Sequence, residues 1–244
     1  AHTSAKRRQA MKRFYQHAAI QPAEGGWQVG LDGRGVKTAM GAPQVVPDEA
    51  LAQALAAEWA AQGDEIDPGS FRLRDLADYA IDVVRADRAA AIANLLRFAE
   101  TDTLCYRADP EDPLFRRQQE VWEPLLKGAE ERHKVRFERV SGIMHRPQPP
   151  ATLEALRACL ERQNDFTLAA LTTLASLAAS LTVALAALED GVGADALWAA
   201  ANLEEDWQAE LWGEDLLAKE RRDRRAAEFA GAHAFATLAQ AADG

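Results

Sequence analysis

Glycines, histidines and cysteines are the residues of this chain that could support catalysis, and their spacing argues against it. The glycines of segment 25–35 follow the pattern G-G-x-x-x-G-x-x-G-x-G, which matches neither the dinucleotide fingerprint nor the phosphate loop. Lys37-Thr38 follows Val36 rather than a glycine, so the lysine of a phosphate loop is also missing. These glycines predict turns between short strands.

Side chains that bind metals or act as nucleophiles are scattered along the chain. Cys105 and Cys159 have no second cysteine nearby and cannot form a disulfide framework, so we expect small buried thiols in a reducing compartment. No G-x-S-x-G nucleophile motif occurs. We therefore expect no enzyme, no cofactor and no metal, with an enzyme of unrecognised site as an alternative. The histidines share no i, i+4 spacing that would suit zinc on a helix: His2, His17, His133, His145 and His233.

Acidic and tryptophan side chains gather near the C-terminus. Segment 204–215 holds six acids and no base, and an Arg-rich stretch follows at 221–225. A helix with aromatic anchors and an acidic rim is typical of a protein-binding surface. A solvated face, or a bridge to the Arg-rich stretch, is the structural alternative. The candidate partner-binding residues are Glu204, Glu205, Asp206, Trp198 and Trp212.

Exposure within this acidic region can be predicted from helical spacing. Leu203, Trp207 and Leu211 form one stripe that should face the core, whereas Trp198 and Trp212 lie off it and are better candidates for exposure. Of the three adjacent acids, Glu205 should project furthest outward.

Composition and charge restrict the class of protein. The chain has 244 residues, 48% of them apolar, and its abundance of Ala and Leu favours helices. A net charge of -10 argues against binding of nucleic acid, because no overall positive field is present to hold phosphates. Residues 1–23 carry five bases and no acid, which we interpret as a solvated N-terminal arm.

Segment 166–188 is the one stretch that could be taken for a membrane span. It has 23 residues without a charge, which is long enough. Six hydroxyl side chains weaken its apolar character, and no Lys or Arg flanks it directly. Its leucines recur at three- and four-residue steps, which indicates a central helix of a soluble bundle.

Hydrophobic periodicity changes along the chain. Trp27, Val29 and Leu31 alternate with polar residues, and Asp32-Gly33 supplies a hairpin turn, which predicts a small β element. After Pro47 the period becomes helical. Asp48 and Asp87 are expected to cap helices. Further helices are predicted at 73–84, between 111 and 133, and near 152–163, 165–189, 195–212 and 215–239.

The predicted fold class is α+β, with a small N-terminal β-containing domain followed by a larger multi-helical domain. The boundary is placed between residues 1–70, which end in a helix, and residues 71–244. Segment 134–140 alternates in polarity and is interpreted as a strand that can return to the first domain.

The chain resembles a family of ATP synthase assembly chaperones, the F(1) complex assembly factor 2 family. Short motifs carry the resemblance and keep the family's order over nearly the whole chain. The most specific are the runs D-T-L-C-Y-R at 102–107 and L-E-E-x-W-Q-x-x-x-W-G at 203–213. The others are Lys12-Arg13-Phe14-Tyr15, Gly26-Trp27-Gln28-Val29, Leu31-Asp32-Gly33-Arg34, Val36-Lys37-Thr38, Glu58-Trp59 with Gln62 and Ile66, and Gln119 with Trp122, Pro124 and Leu125.

The resemblance implies a chaperone that binds the newly made alpha subunit of the ATP synthase catalytic head and prevents its aggregation until the beta subunit replaces the chaperone. Beyond the resemblance, we expect a monomer in the bacterial cytoplasm, or in the mitochondrial matrix of a eukaryote, that binds no nucleic acid and does not insert stably into a membrane. A generic helical adaptor with another client is the alternative partner-binding protein.

Overall fold

The N-terminal sheet is built around the turn at Asp32-Gly33. The computed structural model describes residues 10–241, and Lys6, Arg7 and Arg8 of the predicted arm lie outside them. Asp32 and Gly33 have φ of 50° and 86°, as a two-residue hairpin turn requires. The sheet is antiparallel and centred on β2, with strands β1 (Ala18–Ala23), β2 (Gly26–Leu31), β3 (Arg34–Gly35) and β4 (Val45–Val46). The predicted β element is confirmed.

Helices account for most of the remaining described chain. Within residues 10–241 the α-helices are α1 (Glu49–Ala60), α2 (Arg72–Tyr79), α3 (Arg88–Glu100), α4 (Pro113–His133), α5 (Pro150–Glu161), α6 (Asp165–Ala178), α7 (Leu181–Ala186), α8 (Ala194–Ala201), α9 (Leu203–Trp212) and α10 (Leu216–Gln240). The carboxylates of Asp48 and Asp87 accept backbone N–H groups at the starts of α1 and α3, as predicted. A π-helical turn, Ala80–Val84, extends α2.

The helix predicted over 165–189 is interrupted, which corrects the sequence-based prediction. Ala179 adopts the left-handed conformation (φ 50°) and ends α6. The hydroxyl oxygen of Ser180 then accepts the backbone N–H of Val183 at 3.0 Å and starts α7. Among the described residues, the longest apolar helical stretches fall short of what a membrane crossing requires.

The helix predicted over 195–212 is also two helices. Asn202 separates α8 from α9, and its side-chain amide donates to the carbonyl oxygen of Trp198 at 2.9 Å. A side chain that bonds to its own backbone in this way competes with continuation of the helix.

Segment 134–140 does not return to the N-terminal sheet, contrary to the expectation. Only its last residue is in a strand: β6 (Val140–Ser141) pairs in parallel with β5 (Tyr106–Arg107). In a longer strand, the backbone N–H groups of this segment would donate to a neighbouring strand. Here side-chain oxygens accept them instead. The N–H of Phe137 goes to Glu130 Oε2 and that of Glu138 to Gln148 Oε1, both at 2.8 Å.

The core of the helical part is organised around α6. Most side chains of α6 are buried, and α3, α7 and α10 pack against it. The last helix, α10, also contacts α1 and α2, so the C-terminal helix is packed against the first helices of the chain. The architecture confirms the predicted α+β class, with strands near the N-terminus and a multi-helical remainder. The domain boundary at residue 70 stays a prediction.

Candidate functional site

An exposed apolar surface lies where α9 turns into α10. Gly213 makes the turn with φ of +80°, a conformation that glycine adopts without strain. The carboxylate of Asp215 accepts the backbone N–H of Ala218 at 2.7 Å and starts α10. The turn leaves large apolar side chains in solvent, and Trp212 is 81% exposed. We call this surface the elbow patch: Leu211, Trp212, Leu216 and Leu217.

A groove of about 720 Å³ runs beside the elbow patch, between α9, α10 and the start of α4. Its lining combines apolar, acidic and basic side chains, among them Leu114, Glu205, Gln208, Trp212, Arg221 and Arg225. An apolar centre with a charged margin is the arrangement found in protein–protein interfaces.

Asp206 is held by the Arg-rich stretch, as the structural alternative expected. It forms an ion pair with Arg222, which also pairs with Glu214 at 2.8 Å. Burial raises the pKa of Asp206, and the positive charge of Arg222 opposes that rise. The pair fixes α9 against α10 and gives Asp206 a structural role.

Glu204 and Glu205 have different surroundings although they are adjacent. Glu204 accepts a hydrogen bond from Gln118 Nε2 of α4 at 3.0 Å, and burial raises the pKa of its carboxyl group. Glu205 is exposed at the groove, and within residues 10–241 it forms neither a hydrogen bond nor an ion pair. Of the three acids, Glu205 has the carboxylate that is most available to a partner.

The tryptophans also separate into structural and exposed residues. Trp212 is exposed, as its position off the stripe predicted. Trp198 is half-buried instead, with its ring 5.3 Å from that of Phe229, so the expectation of exposure is wrong for it. Trp207 is half-buried beneath the guanidinium group of Arg117 at 4.7 Å.

Leu211, which was expected to be buried, is exposed instead. On α9 only Leu203 is buried, because the break at Asn202 lets the rest of the helix leave the core.

Several motifs that carry the family resemblance have structural roles. The carboxylate of Glu58 accepts the backbone N–H groups of Leu73 and Arg74 at the start of α2, each at 2.8 Å. Arg107 is buried and donates to Glu123 Oε1 at 2.8 Å and to Gln119 Oε1 at 2.6 Å. These residues hold helices in position.

Sequence reasoning missed part of the elbow patch. Leu216 and Leu217 directly follow the capping residue Asp215, within the first turn of α10. Three and four positions beyond these leucines the chain has the charged run Lys219-Glu220-Arg221, so neither leucine continues into an apolar stripe, and this signal could have marked them as exposed. The groove beside them depends on how α9 folds back on α10, which periodicity does not specify.

Comparison with known proteins gives the same family from sequence and from structure. Residues 12–130 match the family model described as ATP12 chaperone protein. The chain is 28% identical over 220 residues to the mitochondrial protein atp12 of Schizosaccharomyces pombe, which covers 84% of this chain and 74% of that protein.

Two crystal structures agree with the fold over nearly its whole length. Atp12 from Paracoccus denitrificans superposes with a TM-score of 0.88 and 35% identity, covering 94% of this chain and 98% of that one. The Atu1473 protein of Agrobacterium tumefaciens gives a TM-score of 0.89 and 38% identity, covering 93% and 85%. The chain therefore belongs to the ATP12 chaperone family.

Proposed function

We propose that this chain is an assembly chaperone of ATP synthase that binds the unassembled alpha subunit of the catalytic head and releases it to the beta subunit. The elbow patch is the observation that carries the proposal for the binding site. A folded protein rarely leaves a tryptophan and three leucines together in solvent unless they contact another molecule.

The elbow patch has the chemistry of an interface centre. Tryptophan is enriched among the residues that dominate binding energies, because it removes a large apolar area from water at small cost in conformational entropy. An alpha subunit before assembly exposes apolar surface that its neighbours later cover. Covering that surface with Trp212 and the leucines around it prevents self-association of the client.

The acidic margin adds electrostatic selectivity to this contact. Glu205 projects into the groove, and Glu210 lies on the same helix, where it pairs with Arg117 at 2.9 Å. Charges at the edge of an interface affect mainly the association rate and the choice of partner. A basic or polar edge on the client would complement Glu205.

Release by exchange requires an ordering of affinities. The chaperone must bind the alpha subunit more tightly than alpha subunits bind each other, and more weakly than the beta subunit does. Transfer then runs downhill in free energy without a chemical reaction. We place this exchange in the cytoplasm of a bacterium or in the mitochondrial matrix of a eukaryote.

Co-expression with a tagged alpha subunit tests the proposal. The double variant Trp212→Ala/Leu216→Ala should lose most of the captured client while melting like the parent. Ile143→Ala/Met144→Ala is the matched control, because it removes two exposed apolar side chains from another loop. That control should capture normally.

Two results would contradict separate parts of the proposal. Failure of the parent chain to retain the alpha subunit would reject this client and favour an adaptor with another partner. Normal capture by the elbow variant would instead keep the client and move its binding site elsewhere.

A further inference from the structure

A second recess lies on the N-terminal part of the molecule and shares no lining residue with the groove at the elbow patch. Its volume is about 820 Å³, within the range of ligand and peptide pockets. Residues 34–39, which begin with β3, form one side. The segment Phe14-Tyr15, the end of α1 at Trp59, and Arg74 and Asp78 of α2 form the rest. We call this recess the β3 cleft.

Among the described residues, two of the three cationic side chains of the β3 cleft are free, whereas its acids accept hydrogen bonds. The third cation, Arg74, pairs with Asp75 at 3.0 Å. Within the described chain, Arg34 and Lys37 are exposed and have no carboxylate at ion-pair distance. Asp32 accepts backbone N–H groups at the start of β1, including that of His17 at 2.9 Å. Asp78 accepts Gln44 Nε2 at 2.6 Å. The cations that line the cleft outnumber its acids by three to two, and the two free cations both lie along residues 34–37, so this side of the cleft offers positive charge to an incoming group, although the whole chain is acidic.

Aromatic side chains give the β3 cleft an apolar wall. Phe14 is 64% exposed, and its ring meets that of Tyr15 edge-on at 5.2 Å. Leu31 and Val36 are buried beneath it. The indole N–H of Trp59, a further lining residue, is buried and has no hydrogen-bond acceptor among residues 10–241. A large apolar side chain of a ligand would cover Phe14.

The backbone along the β3 cleft favours an extended ligand. β3 ends the path of the sheet, and among the described residues no strand pairs with the outer edge of Arg34–Gly35. The chain that follows is paired with residues 42–44, where the N–H of Gln44 donates to the carbonyl oxygen of Val36 at 3.0 Å, so the free edge is short. Edge strands present unpaired N–H and C=O groups, and extended peptides bind by adding to such edges. A small anion would bind to Arg34 and Lys37 but would leave both the edge of β3 and the aromatic wall exposed to solvent.

We propose that the β3 cleft binds an extended acidic peptide segment of a partner protein, with carboxylates at Arg34 and Lys37 and one large apolar side chain against Phe14. The site is separate from the elbow patch. It gives the molecule two binding surfaces of opposite charge preference, acidic at α9 and basic at β3.

Calorimetric titration with a defined peptide tests this proposal. The probe is the acetylated and amidated pentapeptide Glu-Asp-Phe-Asp-Glu, and the reference peptide carries Lys at its four acidic positions. The parent should bind the acidic peptide and not the basic one. Arg34→Glu/Lys37→Glu should weaken binding by about tenfold or more, with a steep dependence on salt. Phe14→Ala, at an exposed position, should also weaken it.

A charge-matched control separates the site from the net charge of the molecule. Arg116→Glu/Lys127→Glu makes the same change in charge on exposed positions of α4 and should bind the peptide like the parent. Trp212→Ala/Leu216→Ala should also bind it normally, because the elbow patch is not involved.

Three results would overturn the proposal. One is the absence of binding to the parent, and another is equal binding by the parent and the Arg34→Glu/Lys37→Glu variant. The third is inorganic phosphate binding as tightly as the peptide and displacing it, which would assign the cleft to a small anion.

Discussion

The carboxylate of Asp102 accepts the backbone N–H of Thr182 at 2.9 Å, across eighty positions of sequence. The same carboxylate accepts the N–H of Leu104 at 3.1 Å, and Asp102 has no exposed surface. One buried side chain therefore holds the turn at 103–105 against the start of α7.

Asp102→Ala should lower the free energy of unfolding by about 2–5 kcal/mol, because it leaves two buried N–H groups without an acceptor. Urea unfolding followed by circular dichroism measures this loss. Asp190→Ala, at an exposed acid, should change the same free energy by less than about 0.5 kcal/mol. If Asp102→Ala lowers the free energy of unfolding by less than about 1 kcal/mol, water accepts the two N–H groups in place of the carboxylate, which would contradict this prediction.

Trp59→Ala should cost about 3–5 kcal/mol of folding free energy through lost burial and a cavity. The side chain is only 7% exposed, and its ring contacts those of Tyr15 at 5.7 Å and Phe71 at 4.5 Å. Trp212→Ala removes the same side chain from an exposed position and should melt like the parent. A Trp59→Ala protein that also melts like the parent would place Trp59 in an interface rather than in the core.

Glu205→Lys should weaken capture of the alpha subunit by about fivefold at low salt and less at high salt, because the charge acts at a solvated margin. Its melting temperature should stay that of the parent, since Glu205 forms no ion pair within the described chain. Pull-down and thermal melting on the same preparation measure both. Glu131→Lys, an exposed acid of α4, is the control. Unchanged capture, or loss of capture together with loss of folding, would return Glu205 to a structural role.

The ion pairs of Arg139 should make the free energy of unfolding depend on pH. Burial raises the pKa of Glu123 and of Glu130, but hydrogen bonds outweigh burial and bring both pKa values below their ordinary value of 4.5. Arg139 donates to both carboxylates at 2.8–3.1 Å, Arg107 donates to Glu123, and the backbone N–H of Phe137 donates to Glu130. A lowered folded-state pKa means that the unfolded chain binds more protons as pH falls. The stabilisation is therefore present above pH 4.5 and is lost as pH falls through the folded-state values.

Arg139→Gln tests this dependence. The variant should be less stable than the parent by about 1–3 kcal/mol at pH 7, because Glu130 loses its charged partner and Glu123 keeps only Arg107. The difference should shrink as unfolding is measured at successively lower pH below 4.5. Arg116→Gln breaks only an exposed pair and should have little effect at any pH. A difference that is constant with pH would contradict the assignment.

Local signals in the sequence predicted the starts of elements better than their ends. Asp48, Asp87 and the Asp32-Gly33 turn act through neighbouring backbone groups, so a few residues determine the outcome. The breaks at Ser180 and Asn202 do not follow from periodicity, because apolar residues continue across both. The first depends on Asp102, which meets α7 only in the folded chain.

The candidate site was predictable in composition but not in arrangement. Helical spacing predicts the exposure of Trp212. The order of charges along the chain, six acids followed by the Arg-rich stretch, predicts that Asp206 pairs with an arginine such as Arg222. The burial of Trp198 and the exposure of Leu211 do not follow from either signal, because both depend on where α9 leaves the core. Helical phase can be derived from sequence, whereas the angle between two successive helices depends on distant contacts.

The position of α10 determines when the molecule can fold during synthesis. This helix follows the other nine α-helices of the described chain, yet it packs on α6 and on helices from near the start of the described residues, and Asn164 Nδ2 donates to the carbonyl oxygen of Ala239 at 3.0 Å. Contacts of such high sequence separation slow folding, because a long loop must close before they form. A ribosome-bound chain therefore exposes the apolar faces of α2 and α6 until α10 has left the ribosome, and nonsense mutations even within α10 remove part of the core.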